Sequence, residues 1–274
     1  MDKLTITDKP QIAYSECCTL PFVSLYNEDC IETMKRIPDG SIDLMLTDPP
    51  YNVTDCDWDK PIDILQLWPE WERILKPNGV ACIFSQQPFS SELIMSRKGL
   101  FRYEWIWEKS AAGNFANANK MPLRKHENVL IFYRSLPTYN PQPTERSEIN
   151  KIRFRGGKTI VRESKIDSDN YNISHNGGTR IYDEFGLPNT ILAFNCVFNR
   201  HNKLHPTQKP VDLMRYLILT YSNKGETVFD GYSGSGTTAE ACMIEQRNFI
   251  GSELNKEYFD KSVLRLKNVP QSLF

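Results

Sequence analysis

The chain has 274 residues, of which 40% are hydrophobic and 24% are charged, and these proportions are those of an ordinary globular protein. Its formal net charge is −1, so binding to nucleic acid would need a local basic patch rather than an overall positive field. The longest apolar runs, such as Val129–Tyr133, are as long as a strand and too short to cross a membrane. The N-terminus lacks a signal-peptide core, and the seven cysteines show no metal-site spacing, so we expect a cytoplasmic protein with reduced thiols and no metal.

The first half of the chain alternates apolar strands with amphipathic helices. The predicted strands are Phe22–Asp29, Ile42–Asp48, Val80–Ser85, Arg102–Lys109 and Asn128–Arg134, and the predicted helices are Cys30–Ile37, Asp63–Leu75 and Ser90–Gly99. Because the strands are apolar almost throughout, they predict a mostly parallel α/β sheet that is covered by helices on both faces. The last two strands are joined by about twenty residues and predict an antiparallel strand at one edge of the sheet.

The composition changes near Ser135, and residues 136–204 are predicted to form an insertion rich in Asn, Ser, Arg and Lys. Between Arg146 and Lys165 there are seven Lys or Arg residues against two Glu. Such a run is either a solvated surface or a binding site for a polyanion. The candidate contacts to nucleic acid are Arg153, Arg155, Lys158, Arg162 and Arg180.

Regular structure returns in the last third, with a glycine-rich loop between a strand and a helix. The predicted elements are a helix at Pro210–Ser222, a strand at Glu226–Asp230, a helix at Ala239–Gln246, a strand at Arg247–Leu254 and a helix at Lys256–Lys267. The loop reads "GYSGSGTT", and Glu253 ends the next strand seventeen positions beyond Gly236. This order is typical of a site for an adenosine-bearing cofactor: a strand, a glycine loop, a helix and a second strand that ends in an acid.

Other functions of this loop are only partly excluded. It has no lysine after Gly236, so a nucleoside triphosphate is disfavoured. The dinucleotide pattern has Ala239 at its third glycine position, which a dinucleotide site tolerates. A purely structural turn is the remaining alternative.

The stretch "LMLTDPPYN" places an acid, two prolines and an aromatic ring at the end of a predicted buried strand. Asp48 offers hydrogen-bond acceptors, and Pro49 and Pro50 stiffen the backbone and leave its carbonyl groups available. Tyr51 adds a flat ring. Together these residues predict a slot for a planar ring that carries an N–H donor, and the exocyclic amine of a nucleobase fits that description.

"DPPY" and "FDGYSGSGTT", together with "HPTQKP", "IWEK" and "HENVLIFYR", resemble the amino-methyltransferases of DNA. The tyrosine motif precedes the glycine loop, which is the order of the β class of that family. The resemblance covers Phe22–Arg134 and Lys203–Lys267. It implies a Rossmann-like, circularly permuted class I methyltransferase fold. Its catalytic half is expected at residues 20–135, an inserted target-recognition region at 136–204 and a cofactor-binding half at 205–270.

The resemblance implies S-adenosylmethionine as the cofactor. The positions that it assigns to cofactor binding are Asp29, His205, Thr207, Lys209, Asp230, Gly231, Tyr232, Gly234, Gly236, Thr237 and Glu253. The family usually has proline and phenylalanine after the aspartate of the loop, where this chain has Gly231 and Tyr232. Asp29 is either a helix cap or a contact to the cofactor's adenine. His205 would otherwise be an ordinary surface or core histidine.

The implied reaction is methyl transfer to the N6 amine of adenine in double-stranded DNA, with the base flipped out of the helix. Asp48 and the carbonyl of Pro49 would accept hydrogen bonds from the amine, Pro50 would shape the slot, and Tyr51 would stack on the base. An aspartate before the prolines favours adenine N6 over cytosine N4, which is the alternative. A non-catalytic DNA-binding relative and a methyltransferase of RNA or of a protein amide are further alternatives. A homodimer and a cognate restriction enzyme are the other expected partners, and the host would be a bacterium or a phage.

Overall fold

A computed structural model describes residues 4–6, 21–51, 61–145, 185–197, 204–205 and 207–269. The five basic residues predicted to contact DNA, Arg153, Arg155, Lys158, Arg162 and Arg180, lie outside these ranges. The chain divides into two compact units, one made of Met1–Asn140 with Thr190–Phe274 and the other of Pro141–Asn189.

The described strands are β1 (Leu4–Ile6), β2 (Val23–Tyr26), β3 (Ile42–Thr47), β4 (Leu75–Ser85), β5 (Phe101–Gly113), β6 (Arg124–Phe132), β7 (Thr144–Glu145), β8 (Phe185–Gly186), β9 (Ile191–Phe194), β10 (Thr227–Asp230) and β11 (Asn248–Ser252). The described helices are α1 (Cys30–Met34), α2 (Ile64–Ile74), α3 (Phe89–Ser96), α4 (Val211–Tyr221), α5 (Thr237–Ile244) and α6 (Lys256–Lys267). None of the described helices is long and apolar enough to cross a membrane. In the smaller unit, β7 and β8 form a short antiparallel pair.

In the larger unit, nine of these strands form one sheet in the order β1-β2-β11-β10-β3-β4-β6-β5-β9. Every neighbouring pair is parallel except the two pairs that β6 makes with β4 and β5. The predicted mostly parallel α/β sheet is therefore confirmed. The antiparallel strand lies inside the sheet, because β5 and then β9 continue it beyond β6. A connection as short as Asn114–Leu123 can only return the chain antiparallel to the strand before it.

Side chains of the central strands are buried on both faces of the sheet. In β4, Val80, Cys82 and Phe84 pack in one hydrophobic cluster, and the alternate residues Ala81 and Ile83 pack in another. Helices α4, α5 and α6 contribute to the first cluster, and helices α1, α2 and α3 contribute to the second. This two-sided burial is why the strands read as continuous apolar runs.

Polar side chains fix where several helices begin. The carboxylate of Asp29 accepts from the Ile31 N–H at 2.8 Å and caps α1, and Asp63 caps α2 in the same way. Asn255 accepts from the N–H groups of Glu257 and Tyr258 and caps α6. Side-chain acceptors satisfy N–H groups that have no partner within the helix, so each of these residues fixes a helix start.

Candidate active site

The carboxyl ends of β2, β11, β10, β3 and β4 meet at one edge of the sheet, because these strands are parallel neighbours. A cavity of about 1140 Å³ opens at this edge. All the predicted catalytic residues line it, and so do all the predicted cofactor residues except Gly236. Two sequence motifs that lie about 180 residues apart, at Asp48 and Asp230, therefore share one cavity.

The two glycines of the loop have different functions. Both adopt a positive φ, 53° at Gly234 and 75° at Gly236, which favours glycine. A Cβ atom on Gly236 would lie 2.8 Å from the Cβ of Ser262 in α6, so this glycine allows close packing and does not line the cavity. A Cβ atom on Gly234 would meet nothing within 4 Å. Gly236 therefore packs against α6 and Gly234 faces open space, and the predicted cofactor contact of Gly236 stays a prediction.

Asp230 holds the glycine loop from beneath. Its carboxylate accepts from the hydroxyl of Thr47 at 2.9 Å, from the N–H of Tyr232 at 3.0 Å and from the hydroxyl of Thr238 at 2.6 Å. Burial raises the pKa of Asp230 to about 6, and these hydrogen bonds act in the opposite direction. The carboxylate thus joins β3, β10 and α5 at the floor of the cavity.

Glu253 follows β11 and reaches back to the loop. One of its oxygens accepts from the Gly234 N–H at 2.8 Å, and the other accepts from the Asn255 N–H at 2.8 Å. Burial raises the pKa of this carboxyl group. Each oxygen keeps a lone pair for another donor, as a pair of ribose hydroxyls would require. Asp29 both caps α1 and lines the cavity, so its two predicted functions are compatible.

Arg265, in the last turn of α6, also contacts the glycine loop. This contact was not predicted from the sequence. The guanidinium of Arg265 donates to the carbonyl of Ser235 at 3.2 Å and to the hydroxyl of Thr237 at 3.1 Å, and it forms an ion pair with Glu240. A basic residue in the last turn of a helix is common, so the sequence alone gives no signal for this contact.

His205 and Thr207 lie beside α6. The ring of His205 packs edge-on against Tyr258, with 4.2 Å between the ring centroids, and its Nδ1 atom lies 3.2 Å from the Thr207 nitrogen. His205, Thr207 and Tyr258 all line the cavity. The predicted position of the "HPTQKP" segment on the cofactor side therefore fits its first part.

Lys209, in the last part of that segment, lies against the catalytic motif instead of the glycine loop. Its ammonium group forms an ion pair with one oxygen of Asp48, while the Tyr51 hydroxyl donates to the other oxygen. The ring of Tyr51 stacks on Phe89 with 5.6 Å between centroids. Lys209 therefore contacts Asp48 within the cavity, and its predicted contact with the cofactor stays a prediction.

Lys209 also lies 3.3 Å from Glu127 in β6, and Glu127 pairs in turn with Lys109 in β5. Sequence reasoning missed Glu127 and Lys109, although both stand in segments that carry the family resemblance. Burial disfavours the charge of Lys209, but Asp48 and Glu127 outweigh it and raise its pKa. Burial also opposes the charge of Glu127, yet the two lysines lower its pKa. Burial raises the pKa of Asp48, and Lys209 offsets part of that rise.

The cofactor side of the cavity fits an adenosine-bearing cation. It offers the carboxylates of Asp29 and Glu253 and the open space over Gly234. The Ser233 hydroxyl lines the same region and is buried without a hydrogen-bond partner among the described residues, so it can bind a polar ligand atom.

Comparison with known proteins identifies the family. Residues 42–264, which include the tyrosine motif and the glycine loop, match the family model of the N6/N4 DNA methylases. The chain belongs to this DNA methylase family. It is therefore a DNA methyltransferase, and S-adenosylmethionine is its methyl donor.

Two curated relatives match over most of their length. The type II methyltransferase M.HpaI of Haemophilus parainfluenzae is 29% identical over 87% of this chain and 72% of its own. The DNA adenine methyltransferase YhdJ of Escherichia coli is 27% identical over 89% of this chain and 82% of its own.

Two solved structures show the same fold. The complex of M1.HpyAVI with S-adenosylmethionine has a TM-score of 0.62 at 22% identity and covers 89% of this chain and 99% of its own. The PvuII DNA methyltransferase, which is cytosine-N4-specific, has a TM-score of 0.60 at 17% identity and covers 91% of this chain and 89% of its own. The predicted class I methyltransferase fold is confirmed.

Proposed function

We propose that this DNA methyltransferase acts on the N6 amine of adenine at a specific sequence in duplex DNA. The observation that carries the proposal is the position of Asp48, at a strand end in the cavity that the glycine loop also lines. One oxygen of Asp48 accepts a hydrogen bond from the Tyr51 hydroxyl, and the other pairs with the ammonium group of Lys209. A carboxylate has about four acceptor positions, so Asp48 can still accept a hydrogen bond from an amine.

The cofactor side would hold S-adenosylmethionine through the glycine loop, Asp29, Ser233 and Glu253. The bound cofactor supplies the methyl group, and its sulfur leaves as a neutral thioether. Glu253 would accept hydrogen bonds from the ribose hydroxyls. The carboxylates stabilise a cationic ligand, because a negative charge in a partly buried site is only weakly screened.

The tyrosine side would hold the base. The amine of adenine has two hydrogens, which Asp48 and the Pro49 carbonyl would accept. These hydrogen bonds localise the nitrogen lone pair and aim it at the methyl carbon. The hydrogen bond from its hydroxyl to Asp48 and the stack on Phe89 hold the ring of Tyr51, which would serve as a platform for the flipped base. Flipping costs on the order of a few kcal/mol, which stacking on such a ring helps to offset.

Adenine is supported by the aspartate at the first position of "DPPY", which favours N6 in this family, and by the adenine specificity of the E. coli relative. The alternative is the N4 amine of cytosine, which is the substrate of the PvuII enzyme. That enzyme is 17% identical to this chain, so the likeness supports the shared fold and does not select cytosine.

We also propose that the basic segment from Arg146 to Lys165, together with Arg180, contacts DNA. Its arginines and lysines would neutralise phosphates, so binding should weaken steeply as salt rises. Changing Arg153, Arg155 and Lys158 to Gln should lower the slope of log affinity against log salt by about one for each phosphate that the variant no longer neutralises. An unchanged slope would contradict this assignment. The type II relative suggests a cognate restriction enzyme as a partner, and a homodimer is a second proposed assembly.

The decisive experiment identifies the methylated base. The protein is incubated with unmethylated duplex DNA and methyl-labelled S-adenosylmethionine, and the DNA is digested to nucleosides. We expect the label in N6-methyladenine and its absence with Asp48→Asn. Label in N4-methylcytosine would overturn the adenine assignment, and label confined to RNA or protein would overturn the DNA substrate.

A further inference from the structure

Four charged side chains from four separate segments form a continuous chain beside the tyrosine motif. Lys109 pairs with one oxygen of Glu127, whose other oxygen lies 3.3 Å from the ammonium group of Lys209. Lys209 in turn pairs with Asp48. The side chains of Glu127 and Lys209 are only 8% and 7% exposed, so water screens their interactions weakly. The four charges alternate in sign and balance each other.

Lys209 is shared unequally between the two acids. Its ammonium group donates a hydrogen bond to Asp48, whereas it faces the Glu127 oxygen as an ion-pair neighbour, and that oxygen has no hydrogen bond among the described residues. Two aromatic rings lie close to the ammonium group, with the centroid of Phe84 at 4.9 Å and that of Tyr51 at 5.9 Å. Any change in the charge of Glu127 must therefore change how strongly Lys209 interacts with Asp48.

We propose that Glu127 and Lys109 are positioning residues that set the basicity of Asp48 through Lys209. The inference rests on the proposed function, in which Asp48 accepts a hydrogen from the substrate amine. After the new N–C bond forms, one N–H bond must break, its electron pair stays on nitrogen, and the proton leaves. Asp48 is the carboxylate placed to take that proton and release it to water in the open cavity. Its basicity therefore bears directly on the reaction.

The direction of each effect follows from the order of the charges. Without the charge of Glu127, Asp48 loses a nearby negative charge and receives the undivided attraction of Lys209, so its pKa falls. Without the charge of Lys109, Glu127 has only Lys209 as a partner and draws it away from Asp48, so the pKa of Asp48 rises. Two substitutions in one chain of contacts thus have opposite signs.

Among the described residues, few groups face Asp48 from the elements packed against it. They are Lys209 ahead of α4, Tyr51 after β3, Glu127 on β6 with Lys109 behind it on β5, and Asp230 at the end of β10. Asp230 is common to all the variants below, so it does not contribute to the differences between them.

The strands also provide a matched control. Glu108 on β5 forms a 3.0 Å ion pair with Lys125 on β6. Glu108 precedes Lys109 in sequence, and Lys125 lies two residues before Glu127. Unlike the buried pair, these side chains are 48% exposed at Glu108 and 56% exposed at Lys125. Glu108→Gln and Lys125→Met remove the same charges from the same two strands without touching Lys209. They separate a specific effect on Asp48 from a general effect of charge.

The test measures the Asp48 carboxyl directly. Protein labelled with ¹³C at the aspartate carboxyl carbon is titrated by NMR, and the Asp48 signal is assigned by its loss in Asp48→Asn. We expect Glu127→Gln to lower the pKa of Asp48 by about one unit or more and Lys109→Met to raise it by a smaller amount. We expect no shift in Glu108→Gln or Lys125→Met.

A second readout is the pH dependence of kcat. The acidic limb of the profile should move to lower pH in Glu127→Gln and to higher pH in Lys109→Met. An unchanged pKa of Asp48 in a folded variant, or shifts of the same sign in both variants, would overturn the inference. Retained binding of S-adenosylmethionine shows that a variant is folded. If only one of the two variants folds, the sign of the shift in its Asp48 pKa still tests the inference. If the wild-type protein methylated no DNA, the proposed function would fail, while the NMR titration would still decide this inference.

Discussion

The two sides of the cavity hold their acids in opposite ways. On the cofactor side, Asp29, Asp230 and Glu253 are held by backbone N–H groups and hydroxyls, and none of the three forms an ion pair with a described residue. On the tyrosine side, Asp48 and Glu127 are held by lysines. Among the described residues, the carboxyl groups at this edge of the sheet therefore have no positive partner on one side and have lysine partners on the other.

The difference matches the charges of the two ligands that we propose for these sides. A sulfonium is a cation, and uncompensated carboxylates nearby stabilise it. A nucleobase is neutral and arrives on a polyanion, so a balanced set of charges receives it without repulsion. Lys209 also holds the Asp48 carboxylate in position as an acceptor. On the other side, the neutral donors hold the carboxyl groups in position without cancelling their negative electrostatic potential.

The largest effect is expected on the tyrosine side. Asp48→Asn removes the negative acceptor, and we expect kcat to fall by about 10³-fold or more while the affinity for S-adenosylmethionine stays within about twofold. Asp43→Asn is the control, because Asp43 lies near the opposite end of β3 and pairs with Lys76 at 2.6 Å. Steady-state kinetics gives kcat, and calorimetry gives the affinity. A parallel loss of cofactor affinity in Asp48→Asn would show that the two sides are not separable.

The next effect separates the two glycines of the loop. Gly236→Ala combines a positive φ with a 2.8 Å approach to Ser262, so we expect the free energy of unfolding to fall by about 2–4 kcal/mol. Gly234→Ala has the positive φ without the approach and should cost about 1 kcal/mol. It should weaken cofactor binding instead, because its methyl group enters the open space of the cavity. Chemical denaturation measures the first effect and calorimetry the second, and equal losses of stability would contradict the distinction.

A smaller effect is expected at Glu253. Glu253→Gln should weaken S-adenosylmethionine binding by about 10- to 100-fold, the usual range for losing hydrogen bonds to a charged group. Because burial raises the pKa of Glu253, wild-type affinity should fall as the pH drops through that raised pKa, and the variant should lack this dependence. Glu257→Gln in the first turn of α6 is the control, since its side chain is 73% exposed. Calorimetry at several pH values tests both statements, and an unchanged affinity would place the ribose elsewhere.

The last effect concerns the pH dependence of stability and is the smallest at any single pH step. The pKa of Asp230 is about 6 in the folded state, above its ordinary value of 3.8, so the folded state binds more protons between these two pH values. Stability contributed by this group should therefore fall as the pH rises from 4 to 6, by at most about 1.4 kcal/mol per pH unit. Asp230→Asn should flatten that part of the profile in urea unfolding. An unaltered profile would mean that the carboxylate is not desolvated by the loop.

Much of the fold and part of the site could be predicted from local patterns. The predicted bounds of α6 match the structure, and the apolar runs gave the central strands because both faces of the sheet are buried. Strand β9 was missed, since Leu192 is its one fully buried residue and Ile191 is 55% exposed. The two motif-bearing loops were found because each follows a strand end directly.

The contacts that connect distant segments could not be predicted. Lys209 is close in sequence to His205 and Thr207, which contact each other, but its own side chain pairs with Asp48. Lys109 and Glu127 meet only because β5 and β6 are paired antiparallel, and the sequence does not fix their register. Gly234 and Gly236 differ in the atoms that a Cβ would meet, which are those of Ser262 at Gly236 and none within 4 Å at Gly234. The sequence motif alone does not predict this difference.

The points at which the chain leaves and rejoins the larger unit are both anchored. Asn140 donates its N–H to the Thr220 carbonyl at 2.7 Å at the end of α4, and the Thr190 carbonyl accepts from the Ile106 N–H at 2.8 Å just before β9. The residues between these two anchors belong to a separate compact unit. Changes within that unit therefore leave both anchoring hydrogen bonds in place. We propose that the target sequence can change through that unit while the cavity residues of the larger unit are retained.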